Sequence, residues 1–594
     1  MTCCFENILY TKCYRSAKIV VETSKGGFMS KFIPKLWTTL RDYNREQFLA
    51  DVTAGIIVAI IALPLSIALG IASGVTPEMG LWTAIIAGFF ISFFGGSRVL
   101  IGGPTGAFMV IVYGIVVQYG LDGLIIATIM AGIILIAMGL LGFGSLIKFI
   151  PYPITTGFTS GIALVIFSTQ INDFFGLNMS EVPSEFIEKW GAYLSHFNQL
   201  SIQTTLVGSL ALIVAIIWPK FNKKIPGSLI ALVVTTLLVQ AFHLDVMTVG
   251  AKFGALSRTI PMPHLPVVSI ERLQELMKPA FTIAVLGAIE SLLACVVSDG
   301  MIGGRHRSNM ELVAQGIANI ASGIMGGIPA TGAIARTAAN VKNGGRTPVA
   351  GIVHAAVLFL IVIIFMPYAQ LIPLSSLAAV LMIVAYNMSE WREFAALLQA
   401  PKSDVAVLLM TFFLTVLIDL VAAIEVGIIL AAFLFVKRMA DAADVSVLLA
   451  DRFEDEETEP LQLMEKGVVV YEINGPFFFG AADKFVEALR DFRDDYRVLI
   501  LRMRHVPIMD VTAFNALLRL EKRCRTHRVK LMFSGVQAQP YKMMHKNGFA
   551  QRVGETYFYE TVNEAKTGAK AWMAQNEQVR NEHFLKYLKE RTVH

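Results

Sequence analysis

The sequence predicts an α-helical polytopic membrane protein of fourteen spans, arranged as 7+7 inverted repeats and followed by a cytosolic α/β domain. Three observations predict it. Of the 594 residues, 55% are hydrophobic and only 16% charged, with a mean hydropathy of +0.61; this excludes an ordinary soluble globular chain. From Asp51 to Val436 apolar runs of about span length succeed one another, separated by short charged or Gly/Pro loops. Past Arg438 the composition turns polar, and strand patterns alternate with helix patterns.

Residues 1–28 carry no continuous apolar core, being interrupted by Lys12, Arg15, Lys18, Glu22 and Lys25. They read as the start of a cytosolic N-terminal tail, 1–47, without a secretory signal, and Met29 offers an alternative start. The expected spans are 52–73, 78–95, 100–118, 121–143, 150–171, 201–218, 226–243, 279–299, 310–326, 328–341, 348–366, 373–388, 404–418 and 420–436. Loop charge orients them. Every second loop is basic, from Arg98 and Lys148 through Lys220, Lys223 and Lys224, then Arg305 and Arg307, Lys342 and Arg346, Arg392 and Lys402, to Lys437 and Arg438. This bias places both termini in the cytoplasm. Asp299 falls at the inner surface and Asp419 at the outer one.

The net charge of +5 is small for this length and its cations sit beside spans, so no nucleic-acid partner is implied. Cys3, Cys4, Cys13, Cys295 and Cys524 lack metal-ligand spacing, and neither a disulfide framework nor a metal or other cofactor follows from them. The membrane part shows no nucleophile–base pair, so the chain does not read as an enzyme.

The stretch 325–341, MGGIPATGAIARTAANV, organises the membrane part because it puts Arg336 among the spans. Gly326, Gly327 and Pro329 break an arriving helix, and Thr331 with Gly332 and Ala333 offers a fresh helix start whose free N–H groups suit an anion. The plainer alternative is a surface loop with Arg336 snorkelling to headgroups. Residues 94–108, FGGSRVLIGGPTGAF, run through the same order of Gly-Gly, Pro, Thr-Gly and helix. Each copy lies in the third span of a seven-span half, and paired broken segments in inverted halves point to a transport site. The first spans of the halves carry Pro64 and Glu290, the latter between AVLGAI and SLLACVV. A carboxylate there needs a partner or a proton, and Arg336 is the expected neighbour. His354, alone in an apolar run, reads as a packing residue.

In the polar part, DRFEDEETEP at 451–460 marks an acidic linker, 439–466. Strands are expected at 467–474, 497–503 and 529–535, and helices at 482–492, 512–524 and 537–547. The expected domain is 467–566, with a charged helical tail at 567–594.

The motifs GGPTGAF (102–108), GAIESLL (287–293), PATGAIARTAANV (329–341) and VPIMDVTAFNAL (506–517) resemble those of the bacterial SulP family of anion permeases with a C-terminal STAS domain. The likeness runs from about Phe48 to about residue 565, making 48–438 the transport domain. It implies a core domain of spans one to four and eight to eleven, a gate domain from the rest, a homodimer in the bacterial inner membrane, and elevator-like movement of the core. ALPLSIALGIASGV (62–75) resembles the branch that carries four-carbon dicarboxylates; many relatives place Gln and an aromatic where this chain has Leu65 and Leu69. Sodium-coupled bicarbonate relatives add hydroxyl residues where Ala294 and Ile334 stand and lack the arginine, which argues against a sodium site. In the STAS domain the family's phosphorylatable hydroxyl falls at Thr512 after Asp510, although a helix N-cap explains the pair equally well.

The reading is a secondary active transporter that takes up succinate, fumarate or aspartate with protons. Its substrate site comprises Pro64 and Ser66, then Pro104, Thr105, Gly106, Ala107 and Phe108, then Thr331, Gly332, Ala333, Ile334, Ala335, Arg336 and Thr337, with Glu290 carrying the proton. Bicarbonate, sulfate or chloride is the alternative cargo. From another class comes an anion channel or sensor that signals to a cytosolic partner through the STAS domain.

Overall fold

The computed structural model describes residues 32–145, 151–179, 182–183, 185–222, 225–418, 420–442, 444–447, 467–478, 485 and 497–591. Lys148, Lys223, Lys224, Asp419, the 451–460 acidic run and nearly all of the helix expected at 482–492 lie outside them. The chain divides into two compact units, one up to Ile429 and one from Leu430.

The principal helices of the first unit are α1 (Arg45–Ala72), α2 (Pro77–Phe94), α3 (Gly106–Leu140), α4 (Tyr152–Thr169), α5 (Ile202–Phe221), α6 (Gly227–Phe242), α7 (Ile270–Ile302), α8 (Ser308–Ile324), α9 (Ile334–Lys342), α10 (Val349–Ala369), α11 (Leu374–Met388), α12 (Lys402–Leu417) and α13 (Leu420–Ala442), which runs on into the second unit. Every expected span falls on one of them. Two spans share α3, which is interrupted at Gly120, where φ is 71° and only glycine is comfortable. Among the described residues eight helices are long and apolar enough to cross a membrane. Local chemistry sets the ends: Asn44 and Ser269 accept hydrogen bonds from the first turns of α1 and α7, and Gly303 closes α7 at φ 64°.

Irregular backbone appears where the sequence breaks. β1 (Gly102–Gly103) and β2 (Thr331–Gly332) pair antiparallel, Gly102 against Gly332 and Gly103 against Thr331. Two expectations are corrected here. The span expected from 328 is extended until α9 begins at Ile334, because Pro329 and the strand pairing hold the chain out of a helix. The span expected from 100 likewise starts at Gly106. Helices α1, α2, α3, α7, α8, α9 and α10 pack mainly on one another, and α4, α5, α6, α11 and α12 form a second group.

In the second unit β3 (Asp444–Val447), β4 (Val468–Asn474), β5 (Val498–His505), β6 (Lys530–Ser534) and β7 (Phe558–Tyr559) form a sheet in that order, with β3 antiparallel to β4 and the rest parallel. Val469, Tyr471 and Ile473 alternate with Val470, so each face is apolar. One face packs on α14 (Val511–Thr526), α15 (Ala538–Lys546) and α16 (Phe549–Val553). The other is covered by α17 (Val562–Arg591) through Val562, Ala565 and Ala569. The sheet therefore begins inside the expected linker, since β3 completes the edge of β4. The helix of the expected tail belongs in part to the domain: α17 starts before residue 566, and Ala569, Trp572 and Met573 pack on the sheet.

Candidate functional site

A two-residue ladder at membrane depth leaves flanking amides and carbonyls that water cannot reach, so side chains must satisfy them. Ile101 N donates to Thr337 Oγ1 at 3.0 Å, Ala333 N to Ile101 O at 2.8 Å, and Asn340 Nδ2 to Val99 O at 2.9 Å. Asn319 of α8 holds both groups of Ala330, accepting from its N and donating to its O at 2.9 Å each. Ser291 of α7 stands 2.5 Å from Thr331 Oγ1 and accepts from Gly332 N at 3.1 Å. The crossing of the two strands is thereby fixed by residues from α7, α8 and α9.

Both strands lead into helix starts. Thr105 is the N-cap residue of α3 and Ala333 that of α9, and neither side chain caps its own helix. The first-turn N–H groups and the positive dipole end thus remain for an external acceptor. The Thr105 hydroxyl instead donates to Glu290 Oε2 at 2.9 Å.

Arg336 is the third residue of α9 and only 2% exposed. Its Nη2 donates to Pro104 O, while Nη1 has no hydrogen-bond partner. Gly103 makes this approach feasible: a Cβ there would collide with Arg336 Nη1, and its φ of 149° disfavours a side chain. Arg336 is the neighbour expected for Glu290, near enough for their charges to interact, but the two do not bond directly. Among the described residues no ion pair joins them; the guanidinium reaches the Pro104 carbonyl and Glu290 the Thr105 hydroxyl.

The remaining expected site residues divide by role. Pro64 and Ser66 are buried within α1, and Ser66 Oγ has no partner. Gly106 and Ala107 begin α3 and are buried. Phe108 is 1% exposed in an apolar cluster, so it forms wall. Ile334 is half-buried and Ala335 exposed. Thr331 and Thr337 put their hydroxyls into the strand crossing. A cavity of about 1290 Å³ reaches Ala68, two residues past Ser66, and Met109, one turn beyond Thr105, but Thr105, Glu290 and Arg336 do not line it. Snorkelling is not what Arg336 does, since a snorkelling head would be exposed. His354 is fully buried beside Gly88, as a packing residue should be, yet neither ring nitrogen has a partner. In the second unit Asp510 caps α14, accepting from Ala513 N at 2.8 Å, and Thr512 is exposed on its first turn.

Sequence reasoning missed Ser291 and Asn319, whose hydroxyl and amide carry no signal in an apolar run. It also missed Glu311, a fully buried carboxylate accepting from Gly96 N at 2.8 Å, Ser97 N at 3.1 Å and Gln315 Nε2 at 2.9 Å. A lone acid in the 310–326 span was its visible mark. Asp51 is a similar hub, taking the Arg346 amide at 2.8 Å and the Tyr43 hydroxyl at 3.0 Å.

A buried arginine between two helix starts, in a bundle of membrane helices joined to an α/β unit, defines a multi-pass membrane anion transporter. Comparison with known proteins agrees: the sulfate permease family model matches residues 48–411 and the STAS domain model residues 463–565. The chain belongs to the sulfate permease family. It is 41% identical over 524 residues to a putative sulfate transporter of Bacillus subtilis, YvdB, covering 88% of this chain and 97% of that one. It is 30% identical to the bicarbonate transporter BicA of Picosynechococcus, covering 85% and 91%. In fold it matches the murine Slc26a9 anion transporter in the inward-facing state, at a TM-score of 0.82 and 17% identity over 92% of this chain and 95% of that one.

Proposed function

We propose that this chain is a secondary active transporter that moves a small anion together with a proton, with a four-carbon dicarboxylate as its cargo. The observation that carries the reading is Arg336: a buried guanidinium with one free nitrogen, Nη1, set between two helix starts whose first-turn amides their own N-caps do not take. A carboxylate placed there receives the charge and the free Nη1 of Arg336 together with backbone N–H groups. Glu290, hydrogen-bonded to Thr105 at the head of α3, carries the proton. An arriving anion sets a like charge near Glu290 and favours its protonated form, so anion and proton bind with reciprocal reinforcement. The bundle bearing both strands moves against the other helix group to expose the site alternately, in a homodimer of the bacterial inner membrane whose two termini are cytoplasmic.

Sulfate or bicarbonate as cargo is the second reading, favoured by what the relatives are called. Uptake into proteoliposomes under an inward proton gradient, with succinate, fumarate, aspartate, sulfate and bicarbonate compared, decides between them. Concentrative succinate uptake abolished by a protonophore is the expected result. Accumulation of sulfate or bicarbonate without dicarboxylate uptake overturns the cargo assignment, and flux that never exceeds equilibrium turns the protein into a channel.

A further inference from the structure

The chain enters the membrane unit through a short segment ahead of α1 that the anion site does not use. Ile33, Trp37 and Leu40 are exposed on it, and Trp37 meets Phe93 edge-on at 6.3 Å between ring centres. Phe93 lies in the last turn of α2, so these side chains sit where a span ends, the level at which aromatic residues settle between acyl chains and headgroups. Backbone bonds pin the segment down. Lys35 N donates to Gly95 O at 2.9 Å, Arg307 Nη1 to Ile33 O at 2.6 Å, and Arg307 N to Gly96 O at 2.9 Å.

Those bonds gather Lys35, Arg98 and Arg307 from three separate stretches of chain. Burial first, then Arg307 and Arg98, lower the Lys35 amine from its ordinary value against an opposing pull from Asp299, and burial followed by Arg98 lowers Arg307. The cations therefore feel one another. The neighbouring carboxylates are already engaged: Asp299 accepts from both His306 N and Nδ1 at 2.7 Å, and buried Glu311 holds the amides of Gly96 and Ser97. Arg98 is exposed and forms no ion pair among the described residues. Basic loops alone follow from membrane topology. Three converging cations whose neighbouring carboxylates are already held by other groups, beside an exposed tryptophan at the end of a span, call for a phosphate that arrives with acyl chains.

We propose that Lys35, Arg98 and Arg307 form a headgroup site for an anionic phospholipid whose acyl chains lie against Ile33, Trp37 and Leu40. A lipid held there ties the helix bundle that bears Arg336 to one leaflet. The test uses the full-length protein in detergent, its melting followed while short-chain phosphatidylglycerol, phosphatidylcholine of the same chain length, or inorganic phosphate is added. Phosphatidylglycerol should stabilise at concentrations where the other two do not. Lys35→Gln and Arg98→Gln should each weaken that response roughly five-fold, a typical effect for one cation near a lipid surface, and Trp37→Ala should weaken it as well. Arg336→Ala should leave it intact, which separates this site from the anion site. Equal stabilisation by phosphatidylcholine, an equal response to inorganic phosphate, or a Lys35→Gln/Arg98→Gln double variant that responds like the wild type each overturns the proposal. Lys35 is half-buried and Arg98 exposed, and Gln at either position keeps the backbone bonds, so the fold should stand, as an unchanged melting temperature without lipid would show.

Discussion

Residues 102–108 and 331–337 make the same turn from a two-residue strand into a helix start, and they face each other across one antiparallel pairing. The first contains no charged side chain and its helix runs unbroken as far as Gly120, whereas the second contains Arg336 and its helix ends after nine residues. Their hydroxyls differ too. Thr105 donates to a carboxylate, while Thr331 and Thr337 hold the strand crossing. The repeat thus supplies one backbone frame twice, and substitution has given the contact with a carboxylate to one copy and the fixed charge to the other.

The largest break in that division should come from Arg336→Ala, which removes the one charge of the second copy. Loss of a hydrogen bond to a charged group weakens binding by roughly 1.5–3 kcal/mol, or about 10- to 150-fold. Lys should restore only part of this, since it lacks the planar fork. Anion affinity measured by calorimetry on the purified protein checks it, and an unchanged affinity would leave the two copies chemically equivalent.

Glu290→Gln tests the other copy. The amide can still accept from Thr105 but carries no titrating proton, so the variant should exchange anion across the membrane, with little pH dependence between pH 5 and 8, and fail to concentrate it. A Gln variant that still accumulates substrate with the wild-type pH profile would sink the coupling role and leave the carboxylate as a structural partner of Thr105.

A smaller change, Gly103→Ala, probes the contact between the copies. Its methyl group would meet Arg336 Nη1 at a φ of 149°, and strain of that kind costs roughly 1–3 kcal/mol. Relief by tilting the guanidinium away from Pro104 should lower anion affinity while the melting temperature falls only slightly. The reverse outcome, a large stability loss with affinity retained, would make Gly103 a folding residue alone.

How much of this the sequence disclosed depended on the kind of residue. Apolar runs put each expected span on a helix, apart from the extended starts at 100 and 328, because burial in lipid dictates composition along the whole length of a helix. Arg336 and Glu290 stood out because charge is scarce at that depth. Their partners did not. Whether a guanidinium meets a carboxylate or a backbone carbonyl depends on where two strands cross, and Ser291 and Asn319, which set the crossing, look like any small or polar residue in a span. Edge strands β3 and β7 were missed for a related reason, since four and two residues are too few to show an alternating pattern.

The smallest effect expected is that of removing the second unit. That unit begins at Leu430, and its sheet has its own apolar layers on both faces. The strand crossing, both helix starts, Glu290 and Arg336 all lie in the first unit. Stopping the chain after Ala442 keeps α13 whole and removes β3 with the sheet it belongs to, so no strand is left unpaired to aggregate. The shortened protein should bind anion with an affinity within about two-fold of the full chain, because no side chain that touches the site is lost. Its transport rate and its tendency to pair are free to change, since a separately folded unit can regulate without contacting substrate. Calorimetry on both forms in the same detergent measures this. A shortened chain that is monodisperse and melts cooperatively yet no longer binds would show that the two repeats do not by themselves complete the site, and the division of labour between them would have to include a third contributor.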